Sequence, residues 1–255
     1  MFRVVIPARH GSVRLPGKVL LPLAGKPMLR WVCEQAWQSR AAQVLVATDD
    51  RRIEEAARAF GAEVVMTAPA HASGTDRIAE VAWREGWAEG ELVVNLQADE
   101  PLMPPALIDQ VGALLNDHPE AGVATLASPI ASTAELLDPR VVKVVFDRRG
   151  HALYFSRAPI PWDRDGAPAG LASQRSVAGA LRHLGLYAYR VGALRHLAAL
   201  APSPLEQREK LEQLRALENG MAIVVALAAE PAGPDVNTPE DLERVRALLE
   251  ARGSG

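Results

Sequence analysis

Short apolar, β-branched runs alternate with segments of helical apolar spacing through the first half of the chain, and this alternation most restricts its fold. Strand-like runs fall at 2–8, 43–47, 63–66, 91–96 and 122–126. Helical spacing fills 29–38, 51–60, 75–85 and 105–115. Strands separated by helices of this length form βαβ units, because parallel neighbours need a helical crossover. The predicted class is α/β, with a doubly wound, mostly parallel sheet covered on both faces. Two-sided cover explains uninterrupted apolar runs such as Leu92-Val93-Val94. With 49% hydrophobic residues in 255, the chain can fill one large core, so 1–255 reads as a single α/β domain.

The pattern changes from about residue 141. Runs at 141–146 and 152–155 flank Arg148-Arg149-Gly150 and predict a hairpin. Residues 165–180 are rich in Gly, Ala and Ser and read as a mobile surface loop. A strand at 183–190, a helix at 205–217 and a strand at 222–227 follow. The last helix opens at Thr238-Pro239-Glu240-Asp241, where Thr caps, Pro suits the first helical position and acids suit the first turn.

Several classes are excluded. No apolar run reaches the roughly 18 residues of a membrane span. The opening residues read as a strand and lack a basic region followed by a long apolar stretch, so a cytoplasmic protein is expected. The single cysteine, Cys33, rules out an internal disulfide or a cysteine zinc cluster and reads as a buried, inert thiol. A net charge of −3 argues against a nucleic-acid binder. Charge is nevertheless uneven. The first acid is Glu34, although composition would place about four before it, and Arg3, Arg9, Arg14, Lys18, Lys26 and Arg30 precede it. An anion docking near the start of the chain fits that bias.

Ligands of open α/β sheets sit beyond the carboxyl ends of the strands. After the first strand comes Pro7-Ala8-Arg9-His10-Gly11-Ser12-Val13-Arg14-Leu15-Pro16-Gly17-Lys18. Glycines there let backbone amides approach a phosphate, and the cations neutralise it. The loop is not a Walker A motif, because five residues separate Gly11 from Gly17 and Val19 follows Lys18. No Gly-x-Gly-x-x-Gly occurs, which disfavours a dinucleotide-binding dehydrogenase.

This opening, followed by Gly25-Lys26-Pro27-Met28, resembles the start of the enzymes that activate acid sugars with a nucleotide. Val46-Ala47-Thr48-Asp49, Ser73-Gly74-Thr75-Asp76-Arg77, Val94-Asn95-Leu96-Gln97-Ala98-Asp99-Glu100-Pro101, Tyr154 to Trp162, Leu181-Arg182-His183-Leu184-Gly185, Leu211 to Arg215 and Thr238 to Val245 narrow the likeness. Together they resemble the Kdo (3-deoxy-D-manno-octulosonate) cytidylyltransferase family from residue 4 to about 246. The resemblance implies the nucleotide-diphospho-sugar transferase-like form of the fold. It also implies a smaller β-rich lobe at about 130–220 for sugar binding and dimerisation, and a homodimer. The implied reaction couples CMP from CTP to the anomeric hydroxyl of Kdo for lipopolysaccharide biosynthesis, with Mg²⁺ as cofactor and no membrane or nucleic-acid partner.

Site residues follow from the same resemblance. Lys18, Arg14 and Asp99 are the catalytic set. Ala8, Arg9, Ser12, Arg14, Lys18, Ser73, Gly74, Arg77 and Gln97 would hold the nucleotide, with the Gln97 amide reading the cytosine edge. Arg157, His183, Tyr187, Glu212 and Gln213 would form the sugar pocket, and Arg157 would fork onto the sugar carboxylate. Asp99 would bind the metal, since Mg²⁺ favours hard oxygen ligands and phosphates.

Three positions depart from the family pattern. His10-Gly11 stands where Tyr-Ala is usual, and Ala98 replaces a glycine. Asn237 occupies the place of a second metal-binding aspartate. Asp235 lies two residues earlier, on the same side of an extended segment, and is expected to supply the missing charge while Asn237 ligates or hydrogen-bonds. Two other functions stay open at this point. One is a cytidylyltransferase for a related acid sugar, such as 8-amino-Kdo or a sialic acid. The other is a catalytically weakened nucleotide-binding protein.

Overall fold

The computed structural model describes residues 1–11, 15–71 and 73–253. Its strands are β1 (Phe2–Ala8), β2 (Pro22–Leu23), β3 (Lys26–Pro27), β4 (Val44–Thr48), β5 (Glu63–Met66), β6 (Leu92–Asn95), β7 (Val123–Pro129), β8 (Lys143–Phe146), β9 (Ala152–Ser156), β10 (Leu181–Arg190) and β11 (Ile223–Leu227). Its helices are α1 (Met28–Trp37), α2 (Arg51–Ala59), α3 (Gly74–Arg84), α4 (Pro105–Asp117), α5 (Thr133–Leu137), α6 (Val191–Ala199), α7 (Pro204–Glu209), α8 (Gln213–Glu218) and α9 (Pro239–Gly253).

The main sheet runs β11-β7-β10-β6-β1-β4-β5. β1 pairs in parallel with β4 and β6, β4 with β5, and β7 with β11. β10 is antiparallel to both β6 and β7, so it alone runs against the other six. Its first residues therefore share an edge with the carboxyl ends of all the others. The hairpin β8–β9 hangs from the start of β10 through the pair Arg182 and Lys143, so the region 130–220 is continuous with the main sheet through β10.

Strand alternation divides the core into two layers. Val4, Ile6, Val46 and Val94 face α1, α2, α4 and α9 through Leu29, Ile53, Ile108 and Val245. Val5, Leu45 and Val93 face α3, α6 and α8 through Ile78, Leu194 and Leu214. This is the doubly wound, mostly parallel arrangement expected. Cys33 lies inside the first layer, and burial with the nearby Glu34 charge pushes its thiol up to about 12, which keeps it protonated and inert.

Several elements differ from the sequence reading, among them the unpredicted α5, β2 and β3. The expected helix at 205–217 is two short helices, α7 and α8, because Lys210 adopts a left-handed φ of 54° and turns the chain so that Leu211 is buried. Helix α6 is also additional: it follows β10 with no residue between them, and Gly192 falls inside its first turn rather than at a break.

Candidate active site

The segments that follow β1, β6 and β11 meet at the carboxyl edge of the sheet. Gly17, at a left-handed φ of 65°, precedes a short 3-10 turn at Lys18–Leu20 and points Lys18 across the edge. The Lys18 Nζ donates to Asp99 Oδ2 at 2.6 Å and to the carbonyl oxygen of Val236 at 3.0 Å. The Val236 amide donates to the Asp99 carbonyl at 2.9 Å. One ammonium thus staples three loops that are more than 80 positions apart in sequence. The last loop is held from behind by Asp241, whose Oδ2 accepts from the amides of Asn237 and Thr238 at 3.1 and 3.0 Å.

Asn237 Nδ2 donates to Asp235 and orients its carboxylate. Burial first, then the Asp99 charge, raises the Asp235 carboxyl, while Arg182 opposes the rise. Glu100, adjoining them, is pushed up to about 8 by burial and by Asp99 and Asp235. Neither Glu100 nor Arg182 was expected here; the only hint was their position inside the quoted motifs. Three carboxyls, Asp99, Glu100 and Asp235, crowd at this edge, and the Asp99 charge raises the other two, a repulsion that a bound cation would relieve. No three His, Cys, Asp or Glu side chains converge on one metal position among the described residues. Asp99 and Asp235 offer the hard carboxylate oxygens that a divalent cation takes when phosphate and water complete its shell.

A cleft of about 960 Å³ opens from this edge. Gln97, Asp99, Glu100, Arg182, His183 and Tyr187 line it, with Gln213 and Asp235. His183 packs edge-on to Phe155 and against Tyr187, which stacks on Tyr189. Burial, helped by the Arg182 charge, drives the His183 imidazole down to about 3, so it is neutral. Burial raises the Tyr187 phenol well above its ordinary range.

The other expected residues frame this space. Ala8 is buried at the end of β1 and Arg9 is exposed just beyond it. Gly74 begins α3 against Pro7; a Cβ there would lie 3.2 Å from Pro7 Cγ, so glycine lets the helix start approach β1. Ser73 caps α3 and also donates to Glu212 at 3.0 Å. Burial raises the Glu212 carboxyl, and hydrogen bonds from Ser73 and Thr75 moderate it. Arg77 is buried behind the edge, 3.2 Å from Asp49 and bonded to Thr67. Arg157 spends Nε on the Glu209 carbonyl at 2.7 Å and Nη1 on the Pro139 carbonyl at 2.9 Å. In this structure Arg77 and Arg157 therefore brace walls rather than line the cleft. Ser12 and Arg14 lie outside the described residues.

Two of the three sequence departures have a visible accommodation. Ala98 is buried and does not adopt a positive φ, so no glycine conformation is needed there. The His10 ring packs on Gly17, within 3.2 Å of where a Cβ would stand.

A family model described as Cytidylyltransferase matches residues 3–223. The chain is 55% identical over 257 residues to the 3-deoxy-manno-octulosonate cytidylyltransferase of Marinobacter nauticus, covering 99% of this chain and 98% of that one. It is 57% identical over 250 residues to the protein of the same name from Pseudomonas syringae pv. tomato, covering 98% of each. A solved structure of CMP:2-keto-3-deoxy-manno-octonic acid synthetase complexed with CTP superposes with a TM-score of 0.88 at 44% identity over 98% of both chains. A cytidylyltransferase from Leptospira borgpetersenii serovar Hardjo-bovis shares the fold at 17% identity, with a TM-score of 0.64 over 98% of this chain and 87% of that one.

Proposed function

We infer the function from one premise: this chain belongs to the 3-deoxy-manno-octulosonate cytidylyltransferase family. It is a nucleotidyltransferase that transfers CMP from CTP to the anomeric hydroxyl of Kdo and releases pyrophosphate. The observation that carries this reading is the meeting of Lys18, Asp99 and the 235–237 segment beside a cleft that Asp99 and Asp235 line together with His183, Tyr187 and Gln213.

The anomeric oxygen bonds to the α-phosphorus as the bond from that phosphorus to the pyrophosphate oxygen breaks. Such transfer depends on positioning and charge neutralisation more than on covalent help. Lys18, Arg9 and Arg14 serve the triphosphate and the departing pyrophosphate. Gln97, Ser12, Ala8 and Gly74 border the nucleotide, with Ser73 and Arg77 fixing the start of α3. His183, Tyr187 and Gln213 meet the sugar hydroxyls, and Glu212 and Arg157 hold the walls that carry them. A divalent metal accompanies the reaction, and Mg²⁺ suits Asp99, Asp235 and Asn237; when bound it supplies further charge neutralisation at the phosphates. The protein acts as a cytoplasmic homodimer, with region 130–220 forming the sugar-binding and dimerisation lobe. No helix among the described residues is long and apolar enough to cross a membrane.

The test is pyrophosphate release with CTP, Mg²⁺ and Kdo, against ATP, GTP and UTP and against a sialic acid as acceptor. Release should require both CTP and Kdo. Nucleotide binding without release, or release indifferent to Kdo, would overturn the reading.

A further inference from the structure

Behind the cleft wall, Thr125 holds a tightly constrained hydrogen-bonding position. It is fully buried in β7, opposite Tyr187 of β10. Between Leu184 and Tyr187, β10 carries two residues, Gly185 and Leu186, that have no counterpart on β7, where Thr125 and Leu126 are adjacent. A bulge of this kind disrupts the ladder and re-aims side chains. Thr125 Oγ1 fills the gap. It lies 3.1 Å from the Leu184 carbonyl oxygen, 2.9 Å from that of Leu186 and 3.0 Å from His183 Nε2.

A hydroxyl has one hydrogen, and carbonyl oxygens only accept. Were that hydrogen turned to His183, the hydroxyl lone pairs would face two carbonyl oxygens at hydrogen-bond distance, which is repulsive. The hydrogen therefore points at the carbonyls, and a lone pair faces His183. Nε2 must then carry the ring hydrogen and donate it to Thr125. In a neutral imidazole the other nitrogen, Nδ1, is left as an acceptor. The His183 backbone amide is already committed to the Val142 carbonyl at 2.8 Å. Nδ1 is thus the polar atom His183 has to offer the cleft that it lines.

We propose that Thr125 is a positioning residue that fixes His183 in the Nε2-protonated tautomer, so that the cleft meets Nδ1 as an acceptor for a substrate hydroxyl. The substrate half of this statement rests on the reading of the cleft as an acid-sugar pocket. An acceptor of set direction rewards a sugar with a hydroxyl at that point and disfavours a deoxy analogue, whose binding would leave the nitrogen unpaired.

Nitrogen NMR of the full-length protein with labelled histidine tests the tautomer directly, with His183→Gln used to assign the signal. The wild type should show a pyrrole-like Nε2 and a pyridine-like Nδ1. Thr125→Val should average the two signals and raise the KM for Kdo about three- to tenfold, the worth of one hydrogen bond. The KM for CTP should stay within about twofold, because only sugar binding is touched. Thr125→Ser, which keeps the hydroxyl, should restore both readouts. A pyrrole-like Nδ1 in the wild type, or an unchanged spectrum in Thr125→Val, would overturn the proposal. Equal losses toward CTP and Kdo would overturn it as well, since they would mark Thr125 as holding only the bulge. The spectrum decides the tautomer whichever sugar is the acceptor; failure of Kdo to support pyrophosphate release would sink the pocket reading alone.

Discussion

Asp235→Asn is the substitution that most directly probes the proposal that Asp235 supplies metal-binding charge in place of position 237. It keeps the side-chain shape and removes one of the two carboxylates, Asp99 and Asp235, that are proposed to hold the metal. Two unit charges 4 Å apart interact by about 4 kcal/mol at an effective dielectric of 20, and a divalent ion doubles that. Most of this is returned, because removing the charge also relieves the burial and the Asp99 repulsion that already raise the Asp235 carboxyl. A net loss of about 1.4 to 2.8 kcal/mol remains reasonable, equivalent to a ten- to hundredfold weaker metal constant, the range seen when groups around metal sites are removed. The assay is pyrophosphate release at saturating CTP, titrated with Mg²⁺ in excess of that held by the nucleotide. Asp235→Asn should move the half-saturating Mg²⁺ concentration up by that factor. Adding Asn237→Asp to it should bring the value back to within about threefold, because the carboxylate count is restored two residues away on the same side of the segment. An Asp235→Asn enzyme with unchanged Mg²⁺ dependence would refute that proposal, and so would a double variant no better than the single.

Lys18→Ala and Asp99→Asn should each lower turnover at least tenfold, about 1.4 kcal/mol of barrier, read in the same assay. Glu100 gives a pH signature in metal-free protein. Its folded carboxyl sits at about 8 against an ordinary 4.5, so the folded state keeps a proton that the unfolded chain releases. Its contribution is therefore fully present below 4.5 and lost as pH rises to about 8, and chemical denaturation of Glu100→Gln should show a flatter decline over that window than wild type. Lys143 is fully buried, with Nζ donating to the carbonyls of Asp138, Val141 and Arg157 at 3.0, 2.6 and 2.7 Å. Lys143→Met leaves those acceptors unpaired and should cost about 2 to 4 kcal/mol. Thermal melting should show this as a fall of roughly 5 to 10 °C, and an unchanged Tm would contradict it.

The parallel half of the fold was legible because each strand and helix there has its own period and its own punctuation. β1, β4, β5 and β6 begin and end within two residues of the sequence reading, and the capped start of α9 was visible in Thr238-Pro239. The direction of β10 was not legible. An apolar strand carries no mark of whether its neighbours run with or against it, and only the pairing with β6 and β7 settles that. The division between α7 and α8 was hidden for a related reason. Lys210 is an ordinary helix former by composition, and its left-handed backbone is imposed by the burial of Leu211. At the site, motif position located Asp99, Lys18 and Asp235 at the edge. It could not tell a guanidinium that faces the cleft from one that braces its wall. Arg157 and Arg182 stand in equally good motifs, and it is Arg182 that reaches the cleft while Arg157 is held by two carbonyls.

The reversed strand explains why the site can be edited without being lost. In an all-parallel sheet, only loops leaving the carboxyl ends of strands reach the ligand edge. Here β10 also delivers its own first turn of residues, Arg182 to Gly185, and the hairpin β8–β9 is tied to that same point. The loops after β1, β6 and β11 and the start of β10 are therefore different elements that meet around Asp99, Glu100 and Arg182. A change in the 235–237 loop can therefore leave His183, Tyr187 and their bulge untouched. Arg182 couples the halves, since its charge lowers Glu100 and Asp235 on one side and the neighbouring His183 on the other. A change at Arg182 should accordingly disturb both halves together.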